Sequence, residues 1–192
     1  GIEGECGVGT VGFTLAPRLN AAGRLGEAAD AVRLLVTEDD REAAELAGLL
    51  NRLNQERQLV EEGIVAEAIR AAEAAPSGPL VLASRSWHQG VVGIVAARLV
   101  ERFHRPAILI ALNDDGIGKG SARTVAGVNI YEAIAQCRDS LEAFGGHGAA
   151  AGLTIREDRI PAFRAQLAEV MKGSLSSPAS HPRLLCDAEV EP

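Results

Sequence analysis

Between Asp39 and Ala75 the apolar residues Leu46, Leu49, Leu50, Leu53, Val60 and Ile64 recur at intervals of three, four and seven. That spacing predicts one amphipathic helix. Glu42, Arg52, Glu56, Arg57, Glu61 and Glu67 take its other faces, and Pro76-Ser77-Gly78-Pro79 ends it. At about 1.5 Å per residue it spans roughly 50 Å, longer than a small domain is wide, which suits a connector between domains. Thr37 is placed to cap it, with Glu38, Asp39 and Asp40 favouring its positive end.

Upstream, residues 1–24 are glycine-rich and interrupted by Pro17, which predicts irregular chain or an element truncated at its start, followed by a short helix from Leu25 to Val36. Downstream the texture becomes α/β. Leu80–Ala83 reads as a buried strand, 84–89 as a polar loop and Gly90–Phe103 as a buried helix. Ala107–Leu112 and 117–123 read as a hairpin around Asn113-Asp114-Asp115-Gly116. A helix over Val128–Arg138, a glycine-rich loop at 145–148, a strand near Ala150–Ile155 and a helix over Asp158–Lys172 follow. Residues 173–183 read as a linker, and 184–190 as the first strand of a further, truncated domain. The alternation implies a mixed sheet covered by helices.

Composition narrows the function classes. Aromatic residues make up only 3 % of the 192, so the core is aliphatic. Neither a transmembrane run nor a signal peptide is visible, and no membrane role is expected. Cys6, Cys137 and Cys186 form no CxxC pair, which indicates neither a disulfide framework nor a zinc site and suits a cytoplasmic protein. A net charge of −7 argues against a general nucleic-acid coat but allows a narrow basic cleft on an acidic body. The acidic residues concentrate on the helices at 38–73 and 157–169, leaving Arg18, Arg24, Arg85, Lys119 and Arg123 as candidates for one cleft.

Two motifs fail on context. Gly7, Gly9 and Gly12 match GxGxxG without a preceding strand, and Gly118-Lys119-Gly120-Ser121 lacks the upstream glycine of a P-loop. His88, His104, His147 and His181 are not paired at metal-ligand spacing, so no metal site is expected in the chain.

Four segments carry chemistry. Pro17–Arg24 sets Arg18, Asn20 and Arg24 among small residues, suited to phosphate oxygens or to ion pairs with nearby acids. Ser84–Gly90 contains Arg85, Trp87 and His88 before a helix start. It reads either as an anion site with stacking side chains or as a cap with Trp87 plugging the domain edge. Ser121 and Arg123 share one strand face, as a phosphate clamp or as part of a cross-strand ion pair. Gly145-Gly146-His147-Gly148 leaves a histidine with little to pack against and, as a tight loop, backbone N–H groups to face an anion.

Gly145–Gly152 resembles the GGHxxAAG signature of DHHA1 domains, which follow a DHH phosphoesterase domain in a superfamily of nucleic-acid and nucleotide hydrolases. With PRLNAAGR at 17–24, WHQGVVGIVAARL at 87–99 and GSAR at 120–123, the chain resembles the RecJ family of 5′→3′ single-strand-specific DNA exonucleases from about Val11 to Lys172. The resemblance implies a division into 1–38, the end of a DHH domain; 39–76, the connecting helix; 77–173, the DHHA1 domain; and 174–192, a linker with the start of another domain. It implies catalytic roles for Asn20, Arg24 and His147. It implies substrate binding by Arg18, Arg85, Trp87, His88, Ser121, Arg123, Gly145 and Gly146. The Mn²⁺- or Mg²⁺-binding DHH aspartates are absent and would lie upstream, so this chain alone is expected to bind no metal and to be inactive. Single-stranded DNA is the implied substrate and DNA repair and recombination the implied setting, with single-strand-binding protein or a helicase as partners. A superfamily oligoribonuclease, a cyclic-dinucleotide phosphodiesterase and a non-catalytic DHHA1-type binding module remain the alternatives.

Overall fold

The computed structural model describes residues 6–175. Val8–Thr10 (α1), a π turn over Val11–Leu15 and Ala16–Leu25 (α2) form one helical run where irregular chain is expected from composition. The π turn reconciles helix and proline. Ala16 N–H reaches back five residues to Val11 O, and Pro17, which has no N–H, falls in the first turn of α2. The GxGxxG glycines therefore lie in or beside helix and form no nucleotide loop.

Ala28–Val36 (α3) leads to Asp40–Glu73 (α4), the predicted long helix. Its cap is Asp39, which accepts the N–H groups of Arg41 and Glu42, not Thr37. Thr37 is spent on the Glu42 carboxylate and the Asp39 N–H. The first half of α4 packs on α2 and α3, and its second half packs on the α/β unit. Leu46, Leu50, Ile64, Ala68 and Ala72 form the buried stripe. Glu61 is 2 % exposed and is paired by Arg57 of α4 and by Arg98 of the next helix, which supplies the compensation that a buried carboxylate requires.

Leu80–Ser84 (β1), Val92–Phe103 (α5) and Ala107–Leu112 (β2) make a parallel βαβ unit. Ile117–Arg123 (β3), Ala143–His147 (β4) and Ala150–Arg156 (β5) add antiparallel strands, giving the order β1-β2-β3-β5-β4. Ile130–Ala135 (α6) and Ile160–Leu175 (α7) cover one face. The helix α6 is shorter than the apolar run suggests, because the Asn129 side chain caps it at Glu132 N–H. Short 3₁₀ turns at Arg138–Ser140 and Glu157–Arg159 replace the predicted ends of two helices. The anticipated strand at 184–190 lies outside the described residues.

Strand alternation divides the core. Ile108, Ile110, Ala122, Ala151, Leu153 and Ile155 point toward α6 and α7, where Phe163, Leu167 and Met171 meet them. Ala107, Leu109 and Ala111 point the other way, into a cluster with α4 and α5. On that second face, α5 reaches β2 and β3, and among the described residues no helix covers β5 and β4. Half of one sheet face is therefore open, bordered by the start of α5. No helix of the described residues is long and apolar enough to cross a membrane.

Candidate functional site

The polar residues of β3 stand at the edge of the open half-face, beside the start of α5. Ser121 lies opposite Leu109 and Gly152, and Arg123 lies opposite Ala107 and Ala150, so both point to the α5 side. Arg123 Nη1 donates to Ser121 Oγ at 2.9 Å and to Ala122 O at 2.7 Å. Because the serine oxygen accepts, its own hydrogen is available to a ligand. Arg24, in the last turn of α2, donates to Gly90 O at 2.9 Å and brings the helical unit against the loop that enters α5.

Gly23, Arg24, Gln89, Gly90, Val92, Lys119, Gly120 and Ser121 line a shallow cleft of about 310 Å³. Burial, and then the neighbouring Arg24 guanidinium, push the pKa of Arg123 below its ordinary value, yet an arginine stays charged. Among the described residues, none of Arg24, Lys119 and Arg123 takes part in an ion pair. Two guanidinium groups are thus held near one another, with a lysine beside them and no carboxylate partner. An anion relieves that repulsion, and forked guanidiniums suit phosphate oxygens.

The cleft continues onto β5 and β4 as a depression of about 390 Å³ with Lys119, Gly145, Gly152 and Thr154 in its walls and floor. Lys119 Nζ donates to Thr154 Oγ1 at 2.9 Å. A Cβ at Gly145 would meet nothing within 4 Å, so the glycine leaves open space above the backbone, where a ligand can lie flat. Gly146 serves the hairpin instead: its φ is +143°, and a Cβ would run into Ala150 O at 2.4 Å. The Gly-Gly-His segment is therefore the end of strand β4, not the anion-cradling loop that its glycines suggest, since its backbone is paired with β5. His147 is exposed and shares a cross-strand row with Ala150 and Arg123, two strand spacings or roughly 10 Å from Arg123. Its Nδ1 accepts from Ala149 N–H at 3.3 Å, which puts the proton of the neutral ring on Nε2.

The other expected residues lie elsewhere. Asn20 is exposed, one turn before Arg24 on α2. Arg18 is turned toward α4, with Nε on Asn51 Oδ1 at 3.1 Å and Nη1 on Thr14 O at 2.6 Å. Arg85 binds Asn113 O at 2.9 Å and the Glu157 carboxylate. That places it at the β2–β3 turn, whereas Arg123 closes the far end of β3, about 20 Å away. The anticipated convergence of all five cations is thus limited to Arg24, Lys119 and Arg123.

Trp87 is 6 % exposed, and its Nε1 donates to Glu67 Oε2 at 2.8 Å. Ser86 Oγ donates to the same oxygen at 3.0 Å. The indole therefore docks α4 onto the α/β unit and does not face the cleft. Burial would raise the Glu67 pKa, but hydrogen bonds from Trp87, Ser86 and Ser84, together with Arg70, outweigh it and hold the carboxyl below its ordinary value. His88 is exposed and accepts Gly90 N–H on Nδ1 at 3.1 Å, shaping the turn into α5. Gln89 and Gly93 border the site without having been singled out from the sequence. A glycine in the first turn of an otherwise apolar helix was the available signal for Gly93.

Among the described residues no group of three or more His, Cys, Asp or Glu side chains is placed to hold a metal ion.

The DHHA1 domain family matches residues 77–173. The chain is 44 % identical over 193 residues to the single-stranded-DNA-specific exonuclease RecJ of Bacillus subtilis, covering 97 % of this chain and 25 % of that protein. It is 39 % identical to the protein of the same name from Escherichia coli, covering 95 % of this chain and 33 % of that one. A crystal structure of RecJ from Thermus thermophilus in complex with Mg²⁺ superposes with a TM-score of 0.77 at 41 % identity, covering 88 % of this chain and 26 % of the other. An exonuclease RecJ bound to manganese superposes with a TM-score of 0.76 at 40 % identity, covering 89 % and 42 %. The chain thus spans about a quarter to a third of the length of these curated relatives. It belongs to the DHHA1 domain family, and within that family its similarity is to RecJ proteins.

Proposed function

We propose that this chain is the substrate-gripping part of a longer 5′→3′ single-stranded-DNA exonuclease, acting in the cytoplasm in DNA repair and recombination. The observation that carries this reading is the unneutralised cluster of Arg24, Lys119 and Arg123 beside the open sheet face. Phosphate oxygens supply the missing negative charge, and the Gly145 side of the face gives a strand room to lie against backbone. Scarce aromatic residues favour gripping the DNA backbone over reading bases, hence little sequence preference.

Within the cleft, Ser121 and Arg123 hold the 5′ phosphate. A terminal monoester carries nearly two negative charges near neutral pH and an internal diester one, so a fixed guanidinium favours the end of a strand. His147 reaches the scissile region from the β4 side and moves a proton through Nε2. Residues 1–38 belong to a DHH domain that supplies the Mn²⁺- or Mg²⁺-dependent hydrolysis. The strong exposure of Val8, Phe13, Leu35 and Val36 supports burial of that region against further protein.

The test is degradation of matched 5′-phosphate and 5′-hydroxyl oligonucleotides by the full-length protein. Arg123→Ala is expected to erase the preference for the phosphorylated strand, and Arg123→Lys to restore it in part, because an ammonium cannot make the forked contact. Equal slowing of both substrates by Arg123→Ala would show a general backbone contact instead of end reading.

A further inference from the structure

Gly93 lies in the first turn of α5, where alanine is the better helix former. Its φ is not among the positive values of the chain, so backbone conformation does not call for glycine. What a side chain would meet does. A Cβ at Gly93 would stand 2.9 Å from Ser121 Oγ and 3.1 Å from Arg123 Nη2. The volume left empty by the missing methyl is the volume in which the tips of that pair sit. Both neighbours are side-chain ends and not backbone, so they can yield without moving the strand.

We propose that Gly93 is a positioning residue: its missing side chain seats the Ser121 hydroxyl and the Arg123 guanidinium at the start of α5, and so sets discrimination between phosphorylated and unphosphorylated 5′ ends. The proposal rests on the reading of Ser121 and Arg123 as the 5′-phosphate clamp. With a methyl at position 93, Ser121 must rotate and the Arg123 fork must shift. Their mutual 2.9 Å hydrogen bond and their joint aim at one phosphate are then lost together. Hydrogen bonds weaken steeply with such displacements. A helix with one more methyl on its surface remains folded.

The experiment compares rates on matched 5′-phosphate and 5′-hydroxyl strands for the full-length protein and its Gly93→Ala, Arg123→Ala and doubly substituted variants. Gly63→Ala serves as control, because a Cβ there would meet nothing within 4 Å. Gly93→Ala is expected to lower the phosphate-to-hydroxyl rate ratio roughly three- to tenfold, through KM for the phosphorylated strand, with no further fall when Arg123 is already alanine. Gly63→Ala should keep the ratio, and the melting temperature of Gly93→Ala should stay near that of the parent. If Arg123→Ala removes the preference and Gly93→Ala retains it, the inference about Gly93 is overturned and the phosphate reading stands. If Arg123→Ala itself retains the preference, the phosphate reading falls and takes the inference with it. A marked drop in melting temperature for Gly93→Ala also overturns the inference, because the glycine is then a packing requirement of the fold.

Discussion

Replacing Trp87 by phenylalanine should destabilise this chain and leave its hold on DNA intact. The indole is 6 % exposed and gives its N–H to Glu67 Oε2 at 2.8 Å, joining the loop after β1 to the long helix. Phenylalanine keeps most of the ring packing and loses the donor. A hydrogen bond to a charged acceptor contributes about 1.5–3 kcal/mol. Glu67 retains some solvent access and the Ser86 hydroxyl, which reduces the expected loss to about 1–2 kcal/mol. The smaller ring adds about 1 kcal/mol for lost packing. At about 2–4 °C per kcal/mol for a chain of this length, the melting temperature should fall by roughly 4–12 °C. Thermal unfolding by circular dichroism measures this, and fluorescence anisotropy with a single-stranded oligonucleotide measures binding on the same sample. The linkage sign follows from the depressed Glu67 pKa: its contribution is present above the unfolded carboxylate value and lost as pH falls through the lower folded value. The hydrogen-bond share of the gap between wild type and variant should therefore fade as pH falls below the ordinary carboxylate range, leaving the packing share. Unchanged melting with weakened DNA binding would refute this reasoning and return Trp87 to the DNA path.

Three further outcomes follow from the same geometry. His147→Ala should melt within a degree or two of wild type, since the ring is exposed, yet lower the activity of the full-length protein about a hundredfold or more; a collapse in melting temperature would make the histidine structural. Affinity of the chain for single-stranded DNA should fall with salt at a slope on the order of −2, for three cations at about −0.7 each, and salt-independent binding or a duplex preference would contradict it. The purified chain alone should release no nucleotides from DNA with Mn²⁺ or Mg²⁺ present, because its described residues offer no metal cage; metal-dependent release would place catalysis within it.

Much of the fold is legible along the chain because its signals are local. The period of α4, the unbroken apolar run of β2 and the Asn-Asp-Asp-Gly turn each depend on residues close together in the chain. The run through α1 and α2 is not legible in this way, since a π turn accommodates Pro17 and glycine composition points to loop. Strand β4 is hidden for a related reason: Gly145 and Gly146 have low strand propensity and are held by pairing with β5. Within the site, Ser121 and Arg123 are readable because alternate residues of one strand share a face. The fates of Arg18 and Arg85 depend on Asn51 and Glu157, which lie 33 and 72 residues away and which no local pattern connects to them. Trp87 likewise needs Glu67, on a different helix, before its role as a docking residue is visible.

Affinity for a 5′-phosphorylated single strand, measured on the full-length protein without divalent metal, separates the cleft from the rest of the surface most directly. Arg123 borders the cleft through its hydrogen bond to Ser121, and Arg85 lies at the opposite end of the sheet, tied to Glu157, so the two single alanine variants remove the same charge from different places. Loss of charge-assisted hydrogen bonds should weaken binding of Arg123→Ala roughly ten- to a hundredfold, while Arg85→Ala binds as wild type does. Equal weakening by both variants, or weakening by Arg85→Ala alone, would contradict a phosphate-gripping cleft built by Arg24, Lys119, Ser121 and Arg123.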